Sequence, residues 1–206
     1  MIENSEIISF DFSDIIKKYD IENQLKTYFD ILKKENEKIN LVSRETIGSN
    51  GLDILAAESL LPFEFIGTTS FTNYLDIGSG GGFPALPIVM STTINNVLLV
   101  ERTQKKAAAL KRIIKDLEFE SQRINVIDKT VEECSFDLSF DLITLRLVKL
   151  TAKLYKFIMS LLKKNGVFIY YASPDITKNS KIKGITYYYN STNQNIQKSF
   201  TIFTKQ

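Results

Sequence analysis

Leu75-Asp-Ile-Gly-Ser-Gly-Gly-Gly-Phe-Pro-Ala-Leu-Pro87 holds four of the chain's nine glycines and two of its four prolines. An apolar stretch here runs into a loop nearly bare of side chains, where a ligand can approach main-chain atoms closely. The spacing is Gly78-x-Gly80-x-Gly82, one residue shorter than the G-x-G-x-x-G of dinucleotide-binding folds. That argues against a nicotinamide oxidoreductase and suits the zwitterionic tail of a methionine-type cofactor. Pro84 suits an early helical position, so free helix N–H groups are expected just beyond the loop. With Asp76 ahead of the glycines, an ordinary tight turn explains the stretch poorly.

Outward from this loop the chain alternates. Residues 74–79, 96–101, 124–129, 140–146 and 166–173 are short, apolar and rich in β-branched or aromatic residues, as strands are. Between them, residues 104–118 present Ala107, Leu110, Ile114 and Leu117 at helical spacing, and residues 149–164 present Leu150, Leu154, Phe157, Ile158 and Leu161. Lys163 and Lys164 would sit at the negative end of that second helix, with Asn165-Gly166 as its stop. Strands joined by crossover helices predict a parallel, doubly wound α/β sheet. Residues 183–190 and 198–205 are strand-like with a polar loop between them, which predicts an antiparallel C-terminal hairpin.

The region before the loop reads differently. Ile21, Leu25, Tyr28, Phe29 and Leu32 form one helical stripe, and residues 50–65 read as a further helix. Residues 1–20 are expected to add a shorter helix, so that residues 1–70 form a helical extension on a domain spanning 71–206.

Composition narrows the chemistry. The chain has no histidine and a single cysteine, Cys134. Ser-His and Cys-His nucleophiles and most zinc sites are thereby removed, no metal is expected, and a disulfide framework is impossible. The N-terminus lacks the design of a secretory signal, and no apolar run approaches the ~20 residues of a membrane span. A cytoplasmic protein without a membrane partner is expected. The net charge of +2 hides an asymmetry. Residues 1–70 carry 7 Lys and Arg against 13 Asp and Glu, whereas residues 71–206 carry 19 against 11. A basic half of this kind suits a polyanionic partner or, more blandly, solvated lysine-rich helix faces.

Three further positions fall where such sheets bind ligands. Glu101 ends the second strand, where an acid accepts hydrogen bonds from ribose hydroxyls. Val131-Glu132-Glu133 follows the third strand, where backbone N–H groups would read an adenine edge. Arg146 ends the fourth strand, either as a cleft residue or as a surface arginine on a loop.

Together these pieces resemble the bacterial small-subunit ribosomal RNA guanine-N7 methyltransferases, the glucose-inhibited division protein B family, from about Gln24 to Phe168. Asn36, Asn40 and Leu41 match the family's Asn-x-x-x-Asn-Leu, and DIGSGGGFPALP is close to its glycine motif including Pro84 and Pro87. Glu101, Lys105, Lys106 and Leu110 match the next motif, and FDLITLR keeps the Phe-Asp and the arginine. The resemblance implies a Rossmann-like class I methyltransferase with a mostly parallel seven-stranded sheet and S-adenosylmethionine as cofactor. The implied partner is 16S ribosomal RNA or the small ribosomal subunit, methylated at N7 of one guanine by a monomer. Carried over by position, Gly78, Phe83, Val131, Glu132 and Arg146 would meet the cofactor; with Asp76, Gly80, Gly82 and Glu101 from the loop and strand end, they are the cofactor-binding candidates. Arg146 is also the catalytic candidate.

The chain departs from the family pattern on the RNA side. Leu55-Ala-Ala-Glu-Ser59 stands for His-Ile-Leu-Asp-Ser, Thr130 for a common arginine, and Ala172-Ser173 for Lys-Gly. Leu145 and Leu147 flank Arg146 in place of Ser and Ala. The missing His and Lys-Gly motivate one alternative, a non-catalytic cofactor- or RNA-binding homologue; the fold itself leaves a second, a small-molecule methyltransferase.

Overall fold

The computed structural model of the chain describes residues 2–48, 50–67, 70–119, 123–175, 184–191 and 197–206. One eight-stranded sheet runs through it in the order β1-β7-β8-β6-β5-β2-β3-β4. Five neighbouring strands, β2 (Ser70–Ile77), β3 (Thr93–Val100), β4 (Arg123–Ile127, at the edge), β5 (Phe140–Leu145) and β6 (Leu162–Tyr170), make up one side of it. All of these pair in parallel. The strand β8 (Lys198–Thr204) runs antiparallel between β6 and β7 (Ile185–Ser191). The polar loop expected inside this hairpin falls at residues 192–196, outside the described residues.

The seven-stranded expectation needs one correction. Residues Ile2–Phe10 form an eighth strand, β1, paired in parallel with β7 from Ile2↔Ile185 to Phe10↔Ser191. Only α1 (Phe12–Lys18) of the first twenty residues is helical; the Asp11 side chain caps it by accepting from the Ser13 N–H at 2.8 Å. Strand formation at 2–10 depends on a partner about 180 residues away in sequence, which local periodicity does not report.

Alternation along the central strands assigns two faces. Tyr74, Val97, Leu99, Leu142 and Ile169 face a cluster filled by the helices α2 (Glu22–Asn36), α4 (Gly51–Leu60), α5 (Ala85–Ser91) and α6 (Gln104–Asp116), the short α3 (Arg44–Gly48) preceding α4 in the chain. Leu75, Ile77, Val100, Ile143 and Phe168 face the other way, toward Leu154 and Ile158 of α7 (Ala152–Leu161). This is period-two patterning buried on both faces, as a parallel sheet requires. The α2 stripe of Leu25, Tyr28, Phe29 and Leu32 is buried as expected, each side chain contributing roughly 1.5–3 kcal/mol. Arg112 of α6 donates to the buried Glu35 of α2 at 2.6 Å, which ties the two helices together.

A second correction concerns Lys163 and Lys164. Helix α7 ends at Leu161, and the lysines already belong to β6 rather than to a helix terminus. The β5–β6 register shifts between Phe140↔Leu162 and Leu142↔Val167, so Asn165 (φ +61°) and Gly166 lie at a bulge inside the strand. Lys163 Nζ instead donates to Asp141 at 3.0 Å.

Candidate active site

The glycine loop leaves β2 and turns under tight backbone control. Gly78 N–H donates to the carbonyl of Val100 at 2.7 Å, which docks the loop on the end of β3. Gly82 N–H donates to Ser79 O at 2.7 Å, and Leu86 N–H donates back to Gly82 O at 2.7 Å. Gly82 has φ +106°, and a methyl there would meet Leu86 Cδ1 at 2.7 Å and Tyr28 Oη at 2.9 Å. Only glycine fits. From α2, the Tyr28 hydroxyl donates to Gly81 O at 2.7 Å in a fully buried contact. Burial holds that phenol well above its ordinary pKa, so it keeps the proton it donates.

Around this loop lies a cavity of about 600 Å³. Gly78, Gly80, Phe83, Glu101, Val131, Glu132 and Arg146 all line it, which brings most of the sequence candidates to one place at the carboxyl ends of the strands. Asp76 and Gly82 stand behind its wall. Asp76 lies on the same sheet face as Tyr74, is fully buried, and accepts from Thr144 Oγ1 at 2.6 Å. Its Oδ2 meets no hydrogen-bond partner among the described residues. Burial pushes its carboxyl up to about 6, with the charge of Glu101 adding to the rise and Thr144 and Arg146 opposing it.

Glu101 organises the loop as well as facing the cavity. Its Oε2 accepts from Gly80 N–H at 3.0 Å and its Oε1 accepts from Thr103 N–H at 2.8 Å. Each carboxylate oxygen retains capacity for a further donor. Val131 and Glu132 sit on a 3-10 turn closed by a capping box, in which Glu133 accepts from Thr130 N–H at 3.0 Å and Thr130 Oγ1 at 2.7 Å. Thr130, one of the departures, therefore builds this turn. Those hydrogen bonds hold the Glu133 carboxyl below its ordinary range.

Arg146 is largely buried. Its Nη2 donates to Glu58 Oε2 at 2.6 Å, and its guanidinium lies 5.5 Å from the Tyr171 ring centroid. Its Nη1 is buried with no acceptor among the described residues. Glu58 has no exposed side-chain surface, and Lys198 Nζ reaches its other oxygen at 2.6 Å. The Tyr171 hydroxyl closes the arrangement by donating to Ser59 O at 2.6 Å.

Several of these residues escaped the sequence reading. Glu58 and Lys198 were legible only as an acid in the apolar second half of helix α4 and a lysine on β8, although a buried acid demands a partner. Leu41 and Val42 reach the cavity because Asn36 Oδ1 accepts both of their N–H groups, at 2.7 and 2.9 Å. The matched Asn36 thus has a mechanical role at the end of α2. Arg102, Lys106, Lys129 and Lys149 also line the cavity, and none makes an ion pair among the described residues. No group of three or more His, Cys, Asp or Glu among the described residues could hold a metal ion, and no described helix is long and apolar enough to cross a membrane.

Residues 21–201 match the family model of rRNA small subunit methyltransferase G (GidB). The chain belongs to this family. It is 34% identical over 145 residues to the rRNA small subunit methyltransferase G of Helicobacter hepaticus, covering 69% of this chain and 75% of that protein. It is 31% identical over 156 residues to the protein of the same name from Prochlorococcus marinus strain MIT 9215, covering 73% of this chain and 65% of that one. The matched part is thus slightly under two thirds of the Prochlorococcus protein. The fold is a methyltransferase fold: the chain superimposes on an O-methyltransferase from Bacillus cereus in complex with SAH with a TM-score of 0.60, over 90% of this chain and 91% of that one, at 14% identity. Leu55 and Leu147 both fall on the cavity wall.

Proposed function

We propose that this chain is a cytoplasmic, monomeric methyltransferase that transfers a methyl group from S-adenosylmethionine to N7 of a guanine in 16S ribosomal RNA. The observation that carries the reading is the convergence of the glycine loop, Glu101 and the Val131–Glu132 turn on one cavity. Family membership favours it over a non-catalytic homologue or a small-molecule methyltransferase.

The residues present fit the cofactor. Glu101, buried at the end of β3 with lone pairs to spare, suits a vicinal diol. The backbone of the glycine loop suits the amino-acid tail, and Val131 offers an apolar face to a purine. When bound, S-adenosylmethionine supplies an electrophilic methyl group on a sulfonium sulfur.

Guanine N7 has an in-plane lone pair and carries no proton, so attack needs no general base. The absence of histidine is consistent with this chemistry. The chain's task is to hold N7 in line and at near-attack separation. N7 and O6 are adjacent acceptors on one base edge. A donor that helps must engage O6 and leave N7 free, and the guanidinium of Arg146, which lines the cavity, is the candidate for that contact. Arg102, Lys106, Lys129 and Lys149 would hold phosphates and make binding salt-dependent.

The test is calorimetric titration with S-adenosylhomocysteine, followed by incubation of small ribosomal subunits with methyl-labelled S-adenosylmethionine and mapping of the label. Saturable binding and label at guanine N7 are expected. No binding, or label on another atom, would overturn the reading.

A further inference from the structure

Leu147 combines two features that folding alone opposes. Its side chain is 98% exposed, against 54% for the next most exposed large apolar residue described. Its backbone is left-handed, with φ +59°, a conformation that disfavours a residue with a branched side chain. It is followed by Val148, not by a free loop: a methyl placed on Gly78 would lie 2.8 Å from Val148 Cγ2. Leu145 and Leu150 on either side are buried. The segment is thus pinned before and after Leu147, and the strained turn lifts this one side chain into solvent. A backbone outlier held in place by packed neighbours points to a functional position.

The surroundings say what it meets. Leu147 lines the cavity mouth directly beside Arg146, with Lys149 two residues on and Arg102, Lys106 and Lys129 on the same lining. Cations that would grip phosphates therefore flank an apolar tip. We propose that Leu147 is the RNA wedge of this enzyme: it packs against bases next to the target guanine and fills the gap left when that guanine turns into the cavity. Apolar side chains are used in this way where a base step must be unstacked. Leu55 brings further apolar surface to the same cavity. The assignment rests on the proposed RNA methyltransferase activity.

The experiment compares full-length wild type with Leu147→Ala, Leu147→Gly and Leu147→Met, measuring S-adenosylhomocysteine affinity, and kcat and KM on unmethylated small ribosomal subunits. Leu147→Ala and Leu147→Gly are expected to keep cofactor affinity within about twofold and to lose about tenfold in kcat/KM, mostly through KM. Leu147→Met is expected to recover most of that loss. Leu147→Gly, freed of the left-handed strain, should melt at or above the wild-type temperature, which separates the defect from misfolding. Wild-type kcat/KM in the alanine and glycine variants overturns the wedge, as does a parallel fall in cofactor affinity. Wild-type protein that binds S-adenosylhomocysteine but leaves the subunits unmethylated overturns the proposed function, and the wedge with it.

Discussion

Glu58 and Arg146, from α4 and the end of β5, meet at 2.6 Å with 0% and 11% of their side chains exposed. Lys198 completes the arrangement from β8, so one buried acid joins three parts of the fold. Removing one partner of such a group leaves charge buried without compensation. Glu58→Gln is expected to lower the unfolding free energy by about 3–5 kcal/mol. Lys198→Ala should cost about 1 kcal/mol or less, because the lysine side chain is 34% exposed and water can replace it. Urea denaturation of both variants checks the contrast; equal losses would show that the buried acid is not the organising group.

Substitutions in the glycine loop should separate folding from binding. At Gly80 (φ +52°) a methyl meets nothing closer than Gly78 O at 3.9 Å, so Gly80→Ala should cost only about 1–2 kcal/mol of strain. That methyl would nevertheless crowd the cavity, and S-adenosylhomocysteine affinity is expected to fall at least tenfold. Gly82→Ala collides with Leu86 and Tyr28 and should instead lower the melting temperature by several degrees. Calorimetric titration and thermal melts on the two variants would reveal a failure of either half.

Tyr28→Phe removes one oxygen from the core. Gly81 O then loses the donor that reached it at 2.7 Å. The cost is expected to be about 1–2 kcal/mol of stability. Cofactor affinity should fall with it, because the loop loses its anchor to α2. Unchanged affinity in the folded variant would show that the anchor serves stability alone.

Asp76 makes stability depend on pH. Its folded pKa of about 6 lies above the ordinary 3.8, so between these values the folded chain binds a proton that the unfolded chain releases. Its contribution is full below pH 3.8 and is lost as the pH rises through about 6. Asp76→Asn keeps an acceptor for Thr144 and removes the charge. It is expected to flatten the stability profile across this window and to add about 1–2 kcal/mol at neutral pH, after the cost of an unpaired amide. Urea titrations at pH 4, 5, 6 and 7.5 measure the slope, and an unchanged slope would remove Asp76 as its source.

The sheet interior was legible because burial on both faces leaves continuous apolar runs such as Val97–Val100 and Val167–Tyr170, and because parallel strands demand helices between them. Glu101 and the glycine loop were legible because their chemistry depends on position along a strand end. The role of Glu58 was not, since its partners lie 88 and 140 residues away and no local pattern pairs them. Lys163 and Lys164 read as a helix terminus because Leu161, Leu162 and the two lysines continue the helical spacing. Strand pairing with β5 wins instead, at the expense of a bulge.

The pairing of β1 with β7 also carries a consequence for synthesis. Strand β1 is joined in register to residues 185–191, which are made about 180 residues later. At roughly 5–20 residues per second, β1 waits about 10–40 seconds for its partner. Throughout that wait the edge of the sheet is unfinished on the nascent chain, and a chaperone that shields an unpaired strand has its longest opportunity there.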